Sequence, residues 1–376
     1  PHRIAIIGGT VITGTGDRPI KNATILIDNG KLEYVGKFPS KKDLTDYQQI
    51  DAKSKWITPG IIETNSHLIL NVIPEFYIKY EDRLEDIAIQ SAQIGLKYGM
   101  TTMADSWGPL KPLLSARDRI KNGEFVASDI LIAGNIIGTG GPFTQYFMGG
   151  YSIRGKSLRY GDWVHPNIQN RINNLWEAGM GPDLMAATPE EAAERMRNYI
   201  SLGVDFIKLG ISAHGIGPVE PLMFSDRVLE AMVNEINKAG LPYQTHTFTI
   251  ESLKQGIGIN PDLMQHPNVL YLSWGAATDM QKEEIRMLIK EIKKRYIYSG
   301  LMAIPEKKQV AIYKNWESKD SDEPSLNDIM LYRKTGFENV TYEQLSVGVK
   351  EWLSAEVPYT LATDQGPEAK ELGATV

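Results

Sequence analysis

Hydrophobic and polar positions follow two different rhythms along this chain. In the first 57 residues, short runs rich in Ile and Val are separated by polar turn residues, including the turn Asp28-Asn29-Gly30. These runs are Arg3–Ile7, Ala23–Ile27 and Lys31–Val35. Short apolar runs that flank such a turn predict a small antiparallel β unit over residues 1–57.

From Trp56 onward, strand-like runs alternate with longer amphipathic stretches. Eight runs predict strands, namely Trp56–Glu63, Met100–Ala104, Asp129–Ala133, Val204–Leu209, Pro242–His246, Asp262–Gln265, Tyr296–Ala303 and Pro358–Thr363. Helical patterning separates most of them, as in Glu81–Lys97, Pro189–Ser201, Asp226–Ala239, Met280–Lys294 and Tyr342–Ser354. Eight strands that alternate with helices predict an α/β fold of the (β/α)8 TIM-type barrel class over residues 58–376, rather than an open sheet.

One long connection interrupts this alternation between the third and fourth predicted strands. Residues 138–183 are rich in glycine and aromatic side chains, and they begin at the barrel face that carries active sites. We expect either a lid or pocket wall, or an oligomer contact or self-packed surface excursion. Phe143, Arg154 and His165 are its candidate substrate contacts, since Arg pairs well with a carboxylate; ordinary surface cations are the alternative for the latter two.

Composition and charge narrow the class of protein. The chain has 376 residues, 42% of them hydrophobic, and a net charge of −6. This mild acidity argues against a nucleic-acid partner. No apolar run reaches the roughly 18 residues that a membrane span needs, and the opening PHRIAIIGG lacks the apolar core of a signal peptide. We therefore expect a cytoplasmic protein with a small-molecule substrate and no membrane partner.

The cysteine and histidine counts limit the available chemistry. The chain has no Cys, which excludes disulfides, Cys-ligated zinc and thiol nucleophiles. Any metal must therefore bind to His, carboxylate, Lys-derived or backbone ligands. The six histidines are His2, His67, His165, His214, His246 and His266.

Five of the polar residues lie at or near the carboxyl end of different predicted strands. They are His67, Lys208, His246, His266 and Asp364. Those strand ends meet at one mouth of a barrel, where three His, one Lys and one Asp make a metal site plausible. A lone strand-end His is more often structural, but a Lys within an apolar strand is unusual because burial of its charge is costly.

These strand-end motifs, in this order, resemble the amidohydrolase superfamily. The resemblance is to the branch with imidazolonepropionase-like and Xaa-Pro dipeptidase-like metal-dependent hydrolases, and it covers nearly the whole chain. It rests on the opening IAIIGGTVITGTGDRPIKNATILIDNGKLEYVGKF and on the later motifs ITPGIIETNSH, MTTMADSW, RDRIKNGEFVASDILIAGNIIGTGGPF, GVDFIKL, LPYQTH, LMQHP and LATDQG. It implies that the N-terminal strands form part of a β-sandwich.

The resemblance also implies roles for the strand-end residues. His67 is the surviving His of the first-strand motif, and Lys208, N6-carboxylated, bridges or binds metal. His246 and His266 bind the second metal position. Asp364 binds metal and accepts a proton from the attacking water. The implied cofactor is one or two divalent ions, zinc first, with manganese or iron as alternatives.

Asn65 departs from the family pattern, since it stands where the first His of His-x-His is expected. An amide oxygen is a poorer zinc ligand than imidazole. Three interpretations stay open: a single metal held by Lys208, His246 and His266, an oxygen-rich site for a harder metal, or an impaired site. We favour the single metal. Asn65 itself becomes a candidate substrate contact, and His214, just past the fourth strand, is a candidate catalytic residue or replacement ligand.

The sequence thus predicts a metal-dependent hydrolase that cleaves a C–N bond, such as that of an amide or cyclic amide, in a small substrate. A deaminase of heterocyclic or aryl amines and a catalytically impaired binding or assembly subunit are the alternatives. We expect a homo-oligomer. Only 12 residues follow Asp364. They are too few for an eighth outer helix and the remaining sandwich strands, so we expect the natural protein to continue.

Overall fold

The computed structural model of this protein describes most of the chain in separate segments. The described residues are 3–38, 42–70, 74–144, 152–153, 156–157, 166–213, 222–247, 249–267, 278–302 and 342–364. The chain divides into two compact units, Pro1–Ile61 and Ile62–Val376. No helix in these segments is both long and apolar enough to cross a membrane.

The first unit is built on one five-stranded sheet. Its strands are β1 (Arg3–Val11), β2 (Ile20–Asp28), β3 (Lys31–Lys37), β4 (Gln48–Asp51) and β5 (Trp56–Ile57). The order is β3-β2-β1-β4, and β5 also pairs with β1. The first three strands are antiparallel and contain the three predicted runs, whereas β4 and β5 run parallel to β1. Every residue of β4 is exposed, so its sequence carries no apolar run by which to predict it.

The second unit carries the remaining strands. They are β6 (Ile61–Ser66), β7 (Met100–Asp105), β8 (Asp129–Ile132), β9 (Ile136–Ile137), β10 (Ser152–Ile153), β11 (Lys156–Ser157), β12 (Ile207–Gly210), β13 (Tyr243–His246), β14 (Leu263–Gln265), β15 (Tyr298–Met302) and β16 (Tyr359–Ala362). One sheet has the order β6-β7-β8 and another has the order β16-β15-β14-β13-β12-β9; β10 and β11 form a separate antiparallel pair. Main-chain bonds run from the Asp364 N–H to the Asn65 carbonyl and from the Asp205 N–H to the Ile132 carbonyl.

The helices of this unit lie between its strands along the chain. They are α1 (Pro74–Lys79), α2 (Leu84–Lys97), α3 (Leu110–Lys121), α4 (Pro166–Glu177), α5 (Pro189–Ile200), α6 (Asp226–Ala239), α7 (Ile250–Ile259), α8 (Asp279–Arg295) and α9 (Tyr342–Ser354). The fold is therefore mixed α/β with parallel strands, as the alternating pattern predicts. The predicted connection 138–183 contains α4, whose helical pattern lies within an aromatic-rich segment.

Helix α6 shows why the predicted helices form where they do. The Ser225 side chain accepts a hydrogen bond from the Val228 N–H at the start, and Gly240 ends the helix with φ +67°. Apolar side chains at helical spacing, including Leu229, Met232 and Ile236, are buried. Each such side chain contributes about 1.5–3 kcal/mol to stability on full burial.

Two strands differ from their predicted bounds for backbone reasons. The predicted strand Trp56–Glu63 is wrong as one element, because Pro59-Gly60 separates β5 from β6 and proline has no N–H to donate. The third strand breaks into β8 and β9 at Gly134. There φ is +75°, and an added Cβ would clash with the Tyr199 hydroxyl. That hydroxyl donates to the Ala133 carbonyl and accepts the Asn135 N–H, so it pairs a main-chain group on each side of the break.

Candidate active site

The carboxyl ends of several strands bring most of the predicted polar residues into one buried region. Asn65, His67, Lys208, His246 and His266 are each less than 9% exposed. Asp364, two residues past β16, has a side chain that is 16% exposed. The structure therefore brings together the five strand-end residues that the sequence selects, and Asn65 lies among them. Their chemical roles remain predictions.

The Asn65 amide lies at the centre of a hydrogen-bond network. Its Nδ2 donates to Asp364 Oδ1, and its Oδ1 accepts a bond of 2.9 Å from Lys208 Nζ. The Ser106 hydroxyl also donates to Asn65 Oδ1 and itself accepts a bond of 3.1 Å from Lys208 Nζ. Protein groups thus bond both the oxygen and the NH₂ of the amide, and a contact of Asn65 with substrate stays a prediction.

His67 lies beside Asp364 at the end of the first parallel strand. Its Nε2 is 3.4 Å from Asp364 Oδ1, and its ring meets the Trp107 ring edge-on at 5.9 Å. Its Nδ1 is buried and makes no hydrogen bond to any described residue. Burial lowers the pKa of His67, although Asp364 opposes this shift, so the ring is neutral at pH 7.

His246 and His266 form a close imidazole pair on neighbouring parallel strands. Nδ1 of His246 lies 3.0 Å from Nε2 of His266, and His246 pairs in register with Gln265. His266 follows β14 with φ +41°, a left-handed conformation that its N–H holds by a bond of 2.7 Å to the Gly300 carbonyl. The 3.0 Å spacing of the two ring nitrogens is that of a hydrogen bond, and it is also close to the roughly 3.3 Å that separates two nitrogens bound to one tetrahedral zinc.

Lys208 carries its ammonium group in an almost fully buried position. It is 1% exposed, and burial lowers its pKa to about 8, against the opposing charges of Asp364 and Asp105. Its Nζ donates hydrogen bonds to the Asn65 amide oxygen and to the Ser106 hydroxyl oxygen. A lowered pKa makes the neutral amine accessible near neutral pH, and the neutral amine is the form that reacts with carbon dioxide.

Asp364 stays ionised in spite of its surroundings. Burial by itself raises the pKa of this carboxyl, but His266, His67 and Lys208 outweigh burial and hold the pKa below its ordinary value. Asp364 also has a left-handed backbone, with φ +57°. A carboxylate so held is a hydrogen-bond acceptor at neutral pH, which suits the predicted role of proton acceptor.

Asp105 and Ser106, at the end of β7, are site residues that the sequence reasoning missed. Asp105 accepts the N–H of Leu68 at 2.7 Å and of Trp107 at 3.2 Å, and it is fully buried. Burial raises its pKa to about 7, although these two N–H groups and Lys208 lower it. Polar residues directly after the predicted strand Met100–Ala104 were the available signal, the same one that selects His67 and Asp364.

The remaining candidates lie elsewhere. Phe143 is 7% exposed in the apolar core, where its ring meets that of Tyr77 at 5.9 Å. Arg154, His165 and His214 lie outside the described residues. Within the described segments, no three His, Asp or Glu side chains form a group that could hold a metal.

Comparison with known proteins relates this fold and site to a family. No family model matches the chain. The structure resembles molinate hydrolase with a TM-score of 0.79 and 29% identity, over 96% of this chain and 73% of that one. It resembles phenylurea hydrolase B with a TM-score of 0.80 and 25% identity, over 98% of this chain and 76% of that one.

Two curated relatives agree at the level of sequence. Imidazolonepropionase of Aliivibrio fischeri is 26% identical over 263 residues, which are 67% of this chain and 59% of the relative. A 5-methylthioadenosine/S-adenosylhomocysteine deaminase of Symbiobacterium thermophilum is 30% identical over 73 residues, which are 19% of this chain and 17% of the relative. The chain thus spans less than two thirds of these curated relatives.

These findings identify the class of protein. Parallel strands with buried His, Lys and Asp at their carboxyl ends, together with these relatives, define an enzyme fold of hydrolases and deaminases. The chain belongs to the amidohydrolase superfamily. The family that the sequence predicts is confirmed.

Proposed function

We propose that this protein is a metal-dependent hydrolase that cleaves a C–N bond of a small substrate, such as an amide, a cyclic amide or a related group. The observation that carries the proposal is the buried cluster of Lys208, His246, His266 and Asp364 at neighbouring strand ends. In this proposal the eight parallel strand positions close into a barrel, which is consistent with the main-chain bond from Asp364 to Asn65. The N-terminal sheet is part of a β-sandwich.

The residues that would hold a divalent ion are His246, His266 and Lys208 as its carbamate. Carboxylation of Lys208 converts a buried cation into an anionic oxygen ligand, which removes the cost of a buried ammonium group. Imidazole and carboxylate donors suit zinc, with manganese or iron as alternatives. When bound, such an ion polarises a carbonyl group and lowers the pKa of water.

Asp364 is the group that moves the proton in this proposal. Its carboxylate is ionised at neutral pH, and Asn65 Nδ2 fixes the orientation of Oδ1. A carboxylate so held accepts a proton from the attacking water and returns it to the nitrogen of the leaving group. His67, neutral and beside the same oxygen, keeps Asp364 in place.

The proposed substrate class is supported by the names of the solved structures that this chain resembles. Two of them are named for hydrolysis of molinate and of phenylureas, so carbonyl compounds with a disubstituted or aryl-bearing nitrogen are the proposed substrates. Deamination of a heterocyclic amine is the second candidate. It is favoured by the deaminase relatives, though over 28% of this chain or less.

The test is a product assay on purified protein loaded with zinc, manganese or iron. Incubation with molinate, a phenylurea and 5-methylthioadenosine separates the candidates, because deamination releases ammonia and urea cleavage releases an arylamine. We expect arylamine or dialkylamine release that a chelator abolishes. Ammonia release from the nucleoside instead would establish the deaminase. A protein without metal and without turnover on all three would contradict both.

A further inference from the structure

The Ser106 hydroxyl is a buried polar group next to the proposed machinery. Ser106 is fully buried at the end of β7, and its N–H donates to the Ser66 carbonyl at 3.0 Å. Its hydroxyl touches Asn65 Oδ1 and Lys208 Nζ, two groups of the site on two other strands. Buried hydroxyl groups with such partners fix the orientation of the groups that they bond.

The orientation of the Asn65 amide matters because its two ends differ chemically. Oδ1 accepts bonds from Lys208 Nζ and Ser106, and Nδ2 donates to Asp364. A flipped amide would turn its oxygen toward the Asp364 carboxylate and its NH₂ toward two donors. The observed orientation is thus the one that binds Asp364.

Carboxylation of Lys208 changes which group enforces that orientation. The ammonium donates to Asn65 Oδ1, but a carbamate offers oxygen atoms toward the same place. Of the two donors to Oδ1 in the structure, Ser106 then remains. Without its hydroxyl, the amide gains by flipping its NH₂ toward the carbamate, and Asp364 loses its donor.

We propose that Ser106 is a positioning residue for catalysis, which acts by locking the Asn65 amide so that its NH₂ orients Asp364. This inference rests on the proposed hydrolase function. It concerns a group that bonds Asn65 and Lys208 and acts on Asp364 through the Asn65 amide. Ser106 therefore affects turnover more than substrate binding.

The experiment is a double-mutant cycle of Ser106→Ala and Asn65→Ala in the zinc-loaded protein. We expect Ser106→Ala to lower kcat about 10- to 100-fold, the range for outer residues that orient site groups, with KM and zinc content within about twofold. In the Asn65→Ala background the same change should alter kcat less than about threefold, because the amide that it locks is gone. In the metal-free protein, the loss of Tm caused by Ser106→Ala should likewise shrink when Asn65 is Ala.

Two further variants separate positioning from stability. Ser106→Cys keeps the size of the side chain but has a weak donor, so it should lower kcat even if the Ala variant folds poorly. Ser128→Ala removes a buried hydroxyl that bonds the carbonyls of Ala92 and Met100, and it should leave kcat within about threefold.

The outcomes distinguish the two proposals. Suppose that the wild type turns over substrate and that the effects of Ser106→Ala and Asn65→Ala on kcat multiply. This result would overturn the role of Ser106 but not the proposed function. Loss of zinc in Ser106→Ala would also overturn that role, because the hydroxyl would then act on the metal. A wild type that binds no metal and turns over no C–N substrate would overturn the proposed function, and this role with it.

Discussion

The buried cluster has two halves, which place polar side chains in the protein interior in different ways. The imidazole half consists of His246 and His266, whose ring nitrogens approach to 3.0 Å. The amide half consists of Asn65, Ser106 and their bonds to Lys208 and Asp364. Both halves lie at carboxyl ends of parallel strands and both are fully or nearly fully buried. Burial therefore does not separate them, but the chemistry of their groups does.

The difference teaches where an ion is expected to sit. In the amide half, protein donors and acceptors satisfy each other, so the cost of burial is met without an ion. In the imidazole half, two ring nitrogens that are hydrogen-bonded to each other lie at a spacing near that of two ligands on one tetrahedral ion. We infer a single metal position, on the imidazole side, with Lys208 between the halves.

The largest effect is expected from removing the imidazole half. A variant with both His246→Ala and His266→Ala should lose bound zinc and lower kcat at least about 10³-fold, because it removes the principal electrostatic group of the site. Metal content by elemental analysis and kcat on a phenylurea check this. The matched variant Asn65→Ala should retain zinc. Equal loss of zinc in both variants would contradict the proposed division of the site.

A smaller loss of activity is expected from Asp364→Asn. The amide cannot accept the proton from water, so kcat should fall about 10²- to 10⁴-fold, while circular dichroism and Tm change little. Turnover within tenfold of the wild type would show that another group accepts the proton. Restoring an acid by Asp364→Glu offers a control for the shape of the side chain.

The pH dependence of stability tests how Asp105, which lies next to the amide half, contributes to the free energy of unfolding. Its ordinary pKa is 3.8 and its folded pKa is about 7, so between these values the unfolded chain has released a proton that the folded protein retains. Stability therefore falls as pH rises from about 4 to about 7, by at most roughly 4 kcal/mol for this group. Urea unfolding of Asp105→Asn should show a smaller fall over that range. An unchanged slope would mean that Asp105 titrates normally.

Removal and return of metal give the smallest effect. Zinc that binds the folded protein but not the unfolded chain stabilises the folded state by about 2.7 kcal/mol when the free zinc concentration is 100 times Kd. We expect Tm to fall with a chelator and to recover with zinc in the wild type and in Asn65→Ala. No such recovery is expected with both His246→Ala and His266→Ala. A wild-type Tm that does not change when the chelator is added would argue against a resident ion.

Much of the fold was predictable because local periodicity and caps agree with it. The helices Asp226–Ala239 and Tyr342–Ser354 have the bounds that their patterns predict, and the predicted parallel strands contain or overlap β6 to β8 and β12 to β16. The errors occur where the backbone matters more than the pattern. Pro59-Gly60 splits a run of apolar residues, and β4 forms from four exposed residues, three of them polar, by pairing with β1.

The sequence by itself determined which residue types stand at the strand ends, and the absence of Cys left His, Lys and Asp as the donors there. Tertiary structure decided how those residues meet. The pairing of His246 with His266 and the lock on Asn65 join residues 20 and 41 positions apart in the chain. No local pattern encodes such contacts, because they depend on which strands lie side by side and on the register between them.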